Sequence, residues 1–131
     1  MGAWGIGSFE NDDALDWLSE LVAEGLPASG FAIQAVLDQS GEYLEAPSCS
    51  QAIAASEIIA AMLGRPASDL PDDANEWLSR NSQPPGAELV ANARQALERI
   101  VNNSELRDLW SETSDRDRWL ASVQGLRDRP V

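Results

Sequence analysis

The sequence predicts an all-α fold, a compact bundle of about six or seven helices around a central alanine-rich helix. Three observations predict it. Apolar residues recur at three- and four-residue spacing along most of the chain. No run of alternating β-branched residues interrupts them. Segments begin at Asn, Ser or Pro and end at Gly or Asn, the signals of helix starts and stops. With 131 residues and no visible internal repeat, one domain spanning 1–131 is expected, its Gly-rich residues 1–10 packed onto the helices.

The first helix is predicted over residues 11–24, with Leu15, Leu18, Leu21 and Val22 at helical spacing beside Ala14 and Trp17. Asn11 is its N-cap, and Asp12 and Asp13 suit the positive end of its dipole. Gly25 followed by Pro27 stops it. A shorter helix covers residues 29–38, with Phe31, Ile33 and Val36 as its apolar members, and Gly41 ends it. In the third helix, Ser48 and Gln51 form a capping-box pattern after Pro47, and Gly64 and Pro66 close the segment. Residues 52–63 are apolar except for Ser56 and Glu57, so this helix is expected to be buried on nearly all sides.

A short helix over residues 72–80 carries Trp77 and Leu78 and leads into the Pro84-Pro85 loop. Residues 87–101 form one stripe from Leu89 to Val101, broken by Asn102-Asn103. Ser104 caps a short helix holding Leu106, Leu109 and Trp110. Ser114 with Asp117 offers a weaker capping box for the last helix, with Trp119, Leu120, Val123 and Leu126 inward.

Charge narrows the function. The chain has no lysine, nine arginines, 22 acids and a net charge of −13, with a pI near 4.1. Nucleic-acid binding needs a basic face to release counterions, and anionic lipid needs the same. With no histidine, imidazole bases and ligands are excluded; one cysteine forms neither an internal disulfide nor a thiolate cluster. No apolar run is long enough to span a membrane and the start carries no basic leader, so a cytoplasmic protein is expected. The charge is also uneven. Residues 1–64 hold ten acids and no arginine, a net of −10, while residues 65–131 hold twelve acids and nine arginines, a net of −3.

Three stretches carry a resemblance. The opening Gly2-Ala3-Trp4-Gly5-Ile6-Gly7-Ser8-Phe9-Glu10-Asn11-Asp12-Asp13-Ala14-Leu15-Asp16-Trp17 is one. Tyr43-Leu44-Glu45-Ala46-Pro47 with the helix around Ala55-Ser56-Glu57-Ile58-Ile59-Ala60-Ala61 is the second. Ser104-Glu105-Leu106-Arg107-Asp108-Leu109-Trp110 is the third. Together they resemble a small bacterial family catalogued as domain of unknown function 4259. The resemblance implies a helical bacterial protein and carries over no catalytic residue.

The candidate site residues are acidic. Gly2, Gly5 and Gly7 do not read as a phosphate loop, because no strand precedes them and Glu10, Asp12 and Asp13 follow where phosphate would sit. They read as an N-terminal plug, with Trp4, Ile6 and Phe9 as anchors. Asp12, Asp16 and Glu20 share one helix face at i, i+4 spacing, which costs a few tenths of a kcal/mol per like-charge pair. That face is either simply solvated or meets a cation. Glu57, in the most apolar helix, must be paired or hydrogen-bonded; backbone N–H groups of residues 2–7 or an indole N–H are the expected donors. The tryptophans are expected in the core. Cys49 lies near a helix start, where the dipole lowers a thiol pKa, but reads as inert.

The leading expectation is a small interaction module, without cofactor, that is a monomer or weak homodimer. Trp4, Glu10, Asp12, Asp13, Asp16, Glu45 and Glu57 would engage a basic protein partner, as inhibitor- or immunity-type proteins do. The competing expectation is an enzyme using Mg²⁺, Mn²⁺ or Ca²⁺ on a small phosphorylated substrate. Its ligands would be drawn from Asp12, Asp13, Asp16, Glu45 and Glu57, with Asp12, Asp16 and Glu57 as the core set. A scaffold or storage role is the third.

Overall fold

A helix with no polar face needs neighbours on every side, and the third helix here has them. In the computed structural model, which describes residues 3, 5–39, 43–81 and 83–129, seven helices follow in order. They are α1 (Asp12–Glu24), α2 (Pro27–Leu37), α3 (Ala46–Met62), α4 (Asp72–Arg80), α5 (Ala87–Asn102), α6 (Glu105–Ser111) and α7 (Arg116–Asp128). Helix α3 touches each of the other six. Eleven of its 17 residues are buried. Its alanines keep the helix thin, so neighbours approach closely while Ile53, Ile58 and Ile59 fill the gaps between them. Ser56 meets its own polar need by donating to the Ala52 carbonyl, 2.8 Å away.

The start and stop signals hold at most ends. Asn11 accepts from the Ala14 amide at 2.8 Å, and Ser104 accepts from the Arg107 amide at 3.0 Å. At the end of α3, Gly64 adopts φ 86°, and the Gly64 and Arg65 amides fold back onto the Ala61 and Ala60 carbonyls. Three expectations need correction. Pro27 does not merely stop α1; it starts α2, because its fixed φ and missing N–H suit a first helical turn. Helix α3 begins at Ala46, so Pro47 lies in its first turn and Ser48 sits inside it, with no side-chain cap. The Ser114–Asp117 box is likewise absent: α7 starts after Asp115, whose amide donates to Thr113 Oγ1 instead. Phe31 is 72% exposed, since α2 turns Ala28, Ala32, Ile33 and Val36 inward. The Gly41 stop lies outside the described residues.

Side chains of the second half stitch the first half down. Arg99 of α5 donates to the carbonyls of Val36, Leu37 and Gln39 at 2.6, 3.1 and 2.9 Å. One planar guanidinium thus satisfies the carbonyls that the end of α2 leaves open, and brings positive charge to a helix C-terminus. Glu105 of α6 accepts from the Ala46 amide at 2.8 Å, while its own amide donates to Leu44. Tyr43 donates to the Asp108 carboxylate.

Arg99→Leu is expected to lower the unfolding free energy by about 2–3 kcal/mol, the cost of three carbonyls losing a charged donor. Urea titration measures it. Arg99→Lys should recover part of the loss, because a point charge cannot fork across three acceptors. A urea midpoint unchanged by either substitution would remove this role from Arg99.

Candidate functional site

The N-terminal loop is built around two carboxylates. Glu10 folds back so that its Oε1 accepts from the Gly7 amide at 3.0 Å, while its own amide donates to the Gly7 carbonyl. A Cβ at Gly5 or at Gly7 would collide with that carboxylate. The glycines therefore make room for Glu10, rather than for closer packing on the helices as the plug reading expected. Phe9 is buried, Ile6 is partly buried, and an isolated antiparallel bridge pairs Ala3 with Asn11. Trp4 lies outside the described residues.

The second carboxylate is Glu57, 5% exposed within α3. Its donors differ from those expected. Ser8 Oγ donates to Oε2 at 2.7 Å and Arg129 Nη1 donates to Oε1 at 2.5 Å. The backbone amide at Gly7 is spent on Glu10, and the Trp17 indole donates to the Ala28 carbonyl at 3.1 Å. Each oxygen of the buried carboxylate thus has one donor, and one of the two carries the opposite charge. The anticipated tie between loop and central helix exists, and it also holds the chain's C-terminal stretch. Sequence reasoning missed Ser8 and Arg129; the only available signal was that a carboxylate in an apolar helix needs a cation from somewhere.

Beside this tie, a cavity of about 220 Å³ opens between the loop and α3, α6 and α7. Ile53, Leu106, Trp110 and Trp119 supply apolar wall, and the two indole rings stack with centroids 6.4 Å apart and planes 13° apart. Asp13 and Ser50 are among its polar lining groups.

The other acidic candidates spread out. Asp12, Asp16, Glu20 and Glu24 are exposed along α1, and Glu45 is exposed before α3. Among the described residues none of these five has an ion-pair partner. Every ion pair formed there uses only residues from Glu57 onward. No group of three carboxylates or thiols among the described residues is placed to hold a metal ion. The set Asp12, Asp16 and Glu57 is therefore not brought together, and the Glu57 carboxylate is occupied by Ser8 and Arg129. Trp17, Trp77, Trp110 and Trp119 are all in the core.

Cys49 sits in the first turn of α3, yet its pKa does not fall. Burial pushes the thiol up from its ordinary 9.0 to about 12, against a smaller lowering from Ser104. No helix among the described residues is long and apolar enough to cross a membrane.

Two measurements test these assignments. Glu57→Gln keeps the shape but leaves Arg129 without its counter-charge, and is expected to cost about 1–3 kcal/mol in urea unfolding. No loss would show that the charge at Glu57 is not what holds the chain ends. For Cys49, the native state keeps its proton where the unfolded chain releases it, so stability falls as pH rises above about 9. Between pH 7.5 and 10, wild type should lose about 1 kcal/mol more than Cys49→Ala. Tyr43, held up to about 12 by its bond to Asp108, enters only above pH 10. Equal losses would mean that the native thiol ionises normally.

No curated protein and no solved structure matches the chain. One family does, over residues 2–122, which takes in the loop, α1 to α6 and the larger part of α7. The chain belongs to the family described as domain of unknown function (DUF4259).

Proposed function

We propose that the protein is a small cytoplasmic interaction module whose α1 face engages a basic protein partner. One observation carries the reading: the exposed carboxylates of α1 have no ion-pair partner among the described residues, while seven of the nine arginines of the second half make side-chain bonds elsewhere. Asp12, Asp16, Glu20 and Glu24 form a strip along one helix that is not neutralised from within. Holding like charges at i, i+4 spacing works against the helix. A cationic partner would relieve that repulsion on binding and be drawn in by the field beforehand. Glu45, exposed at the start of α3, adds to the same sign of charge. Glu10 and Glu57 are turned to internal bonds and hold the loop in place. The metal-enzyme reading has no such support, since its carboxylates do not converge.

Affinity capture from extracts of the native cell, followed by mass spectrometry, tests this with two triple variants. Asp16→Asn/Glu20→Gln/Glu24→Gln should lose a basic captured protein at 0.1 M salt. The control Asp72→Asn/Asp73→Asn/Glu76→Gln should retain it. Raising the salt to 0.5 M should weaken capture by wild type, as screening of exposed charge requires. Capture that survives both the α1 variant and high salt would overturn the proposal.

A further inference from the structure

The cavity behind the N-terminal loop has a chemistry of its own, independent of the α1 strip. We propose that it binds a small organic cation, a guanidinium or primary ammonium on a short aliphatic chain.

Four observations lead there. Asp13 is the one charged side chain among the described residues lining the cavity, so the cavity presents negative charge. Ser50 also lines it, and its hydroxyl makes no hydrogen bond to any described residue, so it is available to a ligand. A ligand N–H would donate to it. Trp110 and Trp119 contribute indole surface, to which cations are attracted and against which a methylene chain packs. At about 220 Å³ the space exceeds the roughly 150 Å³ that accommodates benzene in an engineered cavity.

An anion fits the same walls poorly. It would face the Asp13 carboxylate, and two of the lining backbone donors are already spent, Ala46 N–H on Glu105 and Gly7 N–H on Glu10, while Pro47 has none. A neutral apolar ligand would satisfy the tryptophans but leave both Asp13 and Ser50 unanswered. The cation alone uses all three features. The Ser8–Glu57 and Gly7–Glu10 bonds fix the loop that forms the outer wall, so the site is held open by contacts that a ligand need not disturb.

Calorimetry on the full chain tests the proposal with butylguanidinium and its neutral isostere butylurea. Butylguanidinium should bind with a Kd of about 1 mM or tighter. Butylurea should be at least about tenfold weaker, the scale of one charge-assisted hydrogen bond. Asp13→Asn should erase that preference, and Ser122→Leu, which adds bulk to the cavity lining, should abolish binding while circular dichroism stays native. Glu20→Gln/Glu24→Gln should leave butylguanidinium affinity unchanged, which separates this site from the α1 strip. A blocked Gly-Arg-Gly tripeptide distinguishes the source. Equal affinity for it supports the site as a receptor for a protein's arginine, and affinity for butylguanidinium alone supports a free metabolite. Equal binding of butylurea and butylguanidinium, or no heat from either cation up to about 10 mM, would overturn the proposal.

Discussion

The layout of the bundle follows from the burial of α3, which packs against all six other helices. A helix whose second half is nearly all Ala and Ile has no face to give to water. Six helices are needed to coat it, and their order around it sets where every other group lies. That coat also puts a carboxylate almost out of reach of water. Glu57 then requires donors from outside α3, and it draws them from two segments far apart in the chain, at Ser8 and Arg129. The described part of the N-terminal loop is tied to α3 at the point where Ser8 answers that charge.

The uneven charge of the chain resolves into two kinds of acid. Some carboxylates act as internal acceptors: Glu57, Glu10 and Glu105 each receive a donor that fixes a loop or a helix start. Others stand along α1 with no internal use. The arginines follow the same division. Arg99 and Arg129 cross to the first half and bind carbonyls or a buried carboxylate, whereas Arg80, Arg116 and Arg118 pair with close neighbours in sequence at the surface. Exposed pairs of that kind contribute little to stability. The two crossing arginines are half-buried, and their removal would expose unmet acceptors.

Much of this was legible from sequence. Helix periodicity and the caps Asn11, Ser104 and Gly64 set most of the elements, because a cap is a local interaction between a side chain and amides within one turn. The exposure of Asp12 and Asp16, and the burial of Glu57 and of the described tryptophans, followed from helix faces. What sequence could not show were interactions across distance. Nothing local distinguishes Arg129 from Arg127, or Ser8 from Ser19, as the partner of Glu57. The capping boxes at Ser48 and Ser114 failed because the pattern is common and a proline or a turn can start a helix without it. The dipole argument for Cys49 failed because the thiol is buried, and desolvation outweighs the partial charge of a helix end. Phe31 shows the converse error: apolar character alone does not say which side of a short helix faces in.

The bond between α3 and the chain's two distant segments also orders events during synthesis. The residues around Ser8 leave the ribosome long before α7, yet Glu57 has its full set of partners only once Arg129 has emerged. Until then the central helix carries an uncompensated charge that opposes its enclosure. The charged half of that tie can therefore close only after α7 has been made, whereas the bond from Ser8 needs nothing from α7.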